Sequence, residues 1–141
     1  MSDRLAPPGA VITLPSAATT AIEGAVLGWD TNGNVKMPAA ALEKPAGVAW
    51  EDSEVRSSAA VDSIAVQTFG VASCISDGSA AITAGDQVAI ADTSGRVKTV
   101  TTTFGANAIA WQVGTALETV ANGATNARVL VLLGVHPYQV T

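Results

Sequence analysis

One seven-residue stretch occurs twice in this chain: Asp30-Thr31-Asn32-Gly33-Asn34-Val35-Lys36 returns as Asp92-Thr93-Ser94-Gly95-Arg96-Val97-Lys98, with five of the seven positions identical. Each copy is a turn signal. Asp suits the first position of a type I turn, and a Gly three residues on supplies the left-handed conformation that folds two strands into a hairpin. Two such hairpins point to an internal duplication of a β-unit.

The similarity continues downstream. Gly47-Val48-Ala49-Trp50-Glu51 matches Gly114-Thr115-Ala116-Leu117-Glu118 as Gly-x-Ala-x-Glu, and Ile64 to Val71 matches Arg128 to Val135. The offset between copies runs from 62 to 67 and back to 64, so the length differences fall in the connections. On this reading the pseudo-repeats span about 24–75 and 85–138. They lie inside a single β domain, residues 24–141, because each half alone is too short to bury a comfortable core.

Composition agrees. Charged residues are 13% and aromatic residues 4% of the 141, and Ala, Val, Thr, Gly and Ser dominate, which favours small-side-chain strands over charged amphipathic helices. Strands are expected near Ala25–Trp29, Val35–Met37, Ala46–Trp50 and Ser63–Cys74, and again near Gln87–Ala91, Arg96–Thr102, Ala110–Leu117 and Arg128–Val135. Period-two alternation is clearest in Ile64-x-Val66-x-Thr68. The only helices expected are short, such as Ala39–Lys44 after Pro38. The fold class is therefore mainly β: a small barrel or sandwich built from two similar β-units.

Residues 1–23 differ from the rest. Pro7, Pro8 and Pro15 bracket the β-prone stretch Val11-Ile12-Thr13-Leu14. Prolines remove amide donors and push the preceding residue towards extended backbone, so an extended N-terminal arm is expected. Its short strand is suited to pairing with the sheet edge of a neighbour, which makes Arg4, Pro7, Pro8, Val11, Ile12, Thr13 and Leu14 candidate partner-binding residues.

Chemistry is sparse. The single His, His136, stands near the C-terminus before Pro137, and the single Cys, Cys74, closes an apolar strand. No nucleophile–base arrangement can be assembled from them, so no catalytic residue is assigned and Cys74 is expected to pack as a small hydrophobe. Zinc needs clustered Cys and His. Asp30-x-Asn32-x-Asn34 imitates the start of a calcium loop, but Val35 occupies the position that requires Gly, and Ala41 the position of the closing Glu. No metal or cofactor is expected, and Glu51-Asp52-x-Glu54 reads as a solvated loop. The duplicated Asp30, Gly33, Asp92 and Gly95 are structural turn residues.

A net charge of −5 with seven Lys and Arg argues against a nucleic-acid partner, whose affinity comes largely from clustered basic residues. The longest nearly apolar run, Val129 to Val135, is far shorter than a membrane-spanning helix. The lone Cys and the lack of an apolar leader near Met1 fit synthesis in a reducing cytoplasm. Low charge density suggests a surface covered by protein partners. Trp29 and Trp111 are the candidate interface aromatics, since Trp50 aligns with Leu117 and is expected in the core.

The run Ile82-Thr83-Ala84-Gly85-Asp86-Gln87-Val88, followed by Gly95-Arg96-Val97-Lys98, Val113-Gly114-Thr115-Ala116-Leu117-Glu118 and Val129 to Leu133, resembles the capsid cement, or head-decoration, proteins of tailed bacteriophages. The resemblance covers about 55 residues, mostly the second unit, and does not extend to the N-terminal arm. It implies a β-rich structural protein on the outer surface of the expanded capsid, made in the bacterial host cytoplasm. It also implies a homotrimer whose partner is the major capsid protein and which bridges neighbouring copies of it. The residues alone leave open another β-module of a phage particle, in tail or fibre, or a carbohydrate-binding domain.

Overall fold

The structure is a computed structural model and describes residues 11–18, 20–53, 62–100 and 109–139. Among the described residues ten strands follow in order: β1 (Val11–Ser16), β2 (Val26–Trp29), β3 (Val35–Lys36), β4 (Pro45–Ala49), β5 (Asp62–Gln67), β6 (Val71–Ile75), β7 (Gln87–Ile90), β8 (Val97–Thr99), β9 (Ile109–Ala116) and β10 (Arg128–Gln139). The first five close into a barrel in the order β1-β3-β2-β4-β5, and the last five form a sheet in the order β6-β10-β9-β7-β8.

Adding five to each strand number relates the pairings of one unit to those of the other. The duplication is therefore a five-strand unit, β1–β5 and then β6–β10. The match reaches individual hydrogen bonds. Ser16 pairs in parallel with Val35 and Ser76 with Val97, drawing together the first and third strands of each unit. Both serines are buried, and each hydroxyl accepts the amide two residues on, Ala18 at 3.0 Å and Gly78 at 3.1 Å. The pairing of β2 with β4 slips between Leu27 and Gly28, and that of β7 with β9 slips between Val88 and Ala89, so the same bulge recurs.

These observations shift the repeat boundaries. The sequence alignment placed the units at 24–75 and 85–138, whereas β1 is the counterpart of β6, so unit one begins at Val11 and unit two at Val71. The expected single strand Ser63–Cys74 is two strands, broken where Gly70 takes a φ of +86°. Its nearly unbroken β-prone character hid the turn. The short helix expected at Ala39–Lys44 is absent, since these residues form bends and turns in which Leu42 has a φ of +67°. Glu43 holds this connection by accepting the amides of Ala39 and Ala40 and the ammonium of Lys36.

The repeated Gly-x-Ala-x-Glu also has a physical cause. A side chain on Gly47 would place its Cβ 2.5 Å from the Gln67 carbonyl oxygen, and one on Gly114 would press on that of Leu132, so only glycine lets the bulged strand pass its neighbour. Ala49 and Ala116 are buried. The Glu51 carboxylate accepts the Ala65 amide at 3.0 Å, and Glu118 accepts that of Leu130 at 2.8 Å, each satisfying backbone beside a strand end.

Leu27, Val35, Ala49, Ile64 and Val66 fill the interior of unit one. The larger cluster fills unit two with Cys74, Ile82, Val88, Ile90, Val113, Val129 and Val131, and takes in Val26 and Val48 from unit one. Alternation along β2 explains this split: Leu27 points into its own barrel, and Val26 points towards unit two.

Candidate interaction surface

Unit two grips unit one through different patches on each. The β7–β8 turn docks on the start of β2, where the Val26 amide donates to the Gly95 carbonyl at 2.8 Å. Arg128 donates to the Glu23 carbonyl at 2.6 Å. In return the β3–β4 connection of unit one reaches unit two, with Leu42 donating to Ile90 and accepting from Trp111. The ammonium of Lys44 stands 5.1 Å from the centre of the Trp111 ring, a cation–π contact. Trp111 is thus half-buried at the junction of units, and Trp29 is 41% exposed.

The two turns behave as the sequence indicated. Asp30 accepts the amides of Asn32 and Asn34, both at 2.8 Å, and Asp92 accepts those of Ser94 and Arg96. Gly33 and Gly95 have φ of +81° and +75°. The amide of Asn34 and the other donors hold the Asp30 carboxyl below its ordinary range. No cation is needed to keep this carboxylate charged. Arg96 closes its own turn by an ion pair with Asp92 at 2.6 Å.

The candidate partner-binding arm is corrected for its strand. Val11, Ile12, Thr13 and Leu14 belong to β1, which pairs along its whole length with β5 of the same chain. A four-residue apolar stretch beside prolines looks like a free arm in sequence, but here it closes a barrel. Arg4, Pro7 and Pro8 lie outside the described residues. Trp50, expected in the core, is half-buried, and its counterpart Leu117 is 45% exposed. The acidic loop is more than solvated surface: besides the role of Glu51, Asp52 accepts the Glu23 amide at 2.8 Å. Glu54 lies outside the described residues.

Cys74 packs in the core as expected, and burial pushes its thiol up to about 12 despite the nearby Arg128. Among the described residues, no three His, Cys, Asp or Glu side chains gather as a metal site, and no helix is long and apolar enough to cross a membrane. Between the units lies an open cleft of about 540 Å³ walled by Ile22, Met37, Ile75, Ser94, Arg96 and Asn126. The cation in its wall, Arg96, is already paired with Asp92.

Sequence reasoning missed the outer face of unit two. Val71, Leu130 and Leu132 stand 41–49% exposed on paired positions of β6 and β10. Leu117 joins them through its amide to the Leu130 carbonyl. The alternation in Val129 to Leu132 was readable only as a two-sided apolar run, which looks like a buried strand. The inward residues, Val129 and Val131, are fully buried, so the outward leucines form a separate apolar face.

The fold and this surface define an all-β protein of two tandem five-strand units whose most distinctive exposed feature is a hydrophobic sheet face. Compared with known proteins, the chain matches no family model and no curated protein.

Proposed function

We propose that this chain is a structural virion protein that binds the outer surface of an expanded bacteriophage capsid. There it cements neighbouring major capsid protein subunits and stabilises the DNA-filled head. The observation that carries this reading is the outer face of β6–β10, where Val71, Leu130 and Leu132 are exposed side by side. In a chain with only 13% charged residues, such a face is suited to burial against another protein. The resemblance of unit two to head-decoration proteins supports the same reading, and the net charge of −5 suits a protein outside the shell better than one that touches packaged nucleic acid.

The mechanism is mass action. A protein that binds only the expanded lattice stabilises that lattice, and a homotrimer touching several capsid subunits multiplies modest individual contacts through effective concentration. The chain acts by occupying surface rather than by turning over a substrate.

The test is addition of the purified chain to expanded, undecorated capsids, followed by cosedimentation and imaging of the particles. Saturable binding that raises the temperature of capsid rupture, and that is lost in Leu130→Glu/Leu132→Glu, is the expected result. A chain that ignores capsids and is retained on a polysaccharide column would replace this reading with a carbohydrate-binding one.

A further inference from the structure

The contact between units is heterologous: a turn of one unit meets a strand start of the other. Such a contact leaves one unused copy of each half at the two ends of a tandem pair. The duplicated glycines show this directly. Gly95, at the tip of the docked turn, is buried, and a Cβ there would lie 2.6 Å from the Val26 carbonyl oxygen; its counterpart Gly33 is exposed with nothing within 4 Å. On the receiving side, Gly24 is buried, with the Ser73 carbonyl 2.7 Å from where its Cβ would be. Its counterpart Gly85 is exposed with nothing within 4 Å.

Gly24 and Gly85 are true equivalents. Their φ values are +96° and +97°, and their amides donate to the matching residues Ala49 and Ala116. Neighbouring residues follow the glycines. The Ile90 carbonyl, at the end of the docked strand, accepts the Leu42 amide of unit one at 3.0 Å, whereas Trp29 at the end of the matching strand of unit one is 41% exposed. Trp50 is half-buried and shares a cleft with Val71, Ser73 and Leu130 of unit two, whereas its counterpart Leu117 is 45% exposed.

We infer that a second copy of this chain docks head to tail on the first, seating the Trp29–Asn34 turn of one copy on the Gly85–Leu117 side of the next, as unit two seats on unit one within the chain. The turn that must fit is the repeated heptapeptide, so the shape of the inserted part is shared by the two units. The receiving strand is more polar than its counterpart. Asp86 and Gln87 stand where unit one has Ala25 and Val26, and Thr115, whose hydroxyl lies 3.2 Å from the Gln87 side chain, stands where unit one has Val48. The unused turn is polar in its variable positions too, with Asn32 and Asn34 in place of Ser94 and Arg96. This polar centre makes the contact between copies weaker than the contact within the chain, and therefore dependent on concentration.

The experiment is sedimentation velocity of the full chain over a range of concentrations, without capsids, so that it stands apart from the proposed capsid role. The wild-type chain is expected to assemble beyond the monomer. Trp29→Glu and Leu117→Glu each weaken assembly by about tenfold or more, as removal of a large interface side chain does, while thermal melting of the dilute chain stays unchanged. Mixing the two variants is decisive. Each keeps one intact half, so a head-to-tail contact restores a one-to-one dimer and nothing larger. A wild-type chain that stays monomeric, or two variants that fail to recombine, would overturn the inference.

Discussion

Replacing Gly33 and Gly95 separately by alanine isolates the energy of the contact between units. Both residues have left-handed backbone, φ +81° and +75°, in turns whose Asp carboxylate accepts the same pair of amides, so the strain of placing a Cβ there, about 1–2 kcal/mol, is common to both. The loss of unfolded-state freedom on replacing Gly with Ala is also common and cancels in the comparison. What differs is surroundings. Gly33 faces open space, but a Cβ on Gly95 meets the Val26 carbonyl at 2.6 Å and must push the turn away. That breaks the 2.8 Å bond from the Val26 amide. An orphaned buried donor costs about 1–3 kcal/mol, so Gly95→Ala is expected to lose that much more than Gly33→Ala. At about 3–4 °C per kcal/mol for a chain of this size, the two melting temperatures differ by roughly 3–12 °C. Differential scanning calorimetry reads this directly, at protein concentrations low enough to keep copies apart. Equal losses in the two variants would refute the docking of the second turn.

Three further outcomes are expected. Gly114→Ala, which sets a Cβ against the Leu132 carbonyl, destabilises the chain by about 1–3 kcal/mol through overpacking, and an unchanged urea midpoint would contradict the strand crossing. Deleting residues 1–16 removes β1, the strand that closes the first barrel, so unit one becomes sensitive to protease at Trp29 and Trp50. Undiminished resistance would return β1 to the status of a dispensable arm. Burial raises the Cys74 thiol from 9.0 to about 12, so the folded state favours the neutral form. Its contribution to stability is complete below pH 9.0 and fades as pH rises from there through about 12. Denaturant titrations of wild type and Cys74→Ala across that range test the sign, and a thiol reagent that labels the native chain readily at about pH 8, near the ordinary thiol pKa, would show the side chain is not buried.

Most of the strand architecture was legible. The turns at Asp30–Gly33 and Asp92–Gly95 announced themselves because a positive φ demands glycine and an Asp side chain caps its own turn. Cys74 read correctly as core for a similarly local reason: it closes a β-prone strand of small and apolar residues. Other positions were not legible. Val11–Leu14 carries the same pattern whether it pairs with its own β5 or with a neighbour, since strand pairing is set by partners remote in sequence. Likewise Trp50 and Leu117 align in the repeat yet sit in different surroundings, one beside the other unit and one open.

The sequence by itself determined that the chain contains two copies of a β-unit, where its hairpins bend, and that glycine and glutamate recur at fixed places in the repeat, because turn chemistry and strand alternation are local. Only the tertiary structure decided where each copy begins, that β1 closes a barrel, and which face of β10 is exposed. It also decided that one turn of the pair is buried while its twin stands free. Those properties depend on which unit lies against which, and in a duplicated sequence the same residues appear twice with only one of them covered.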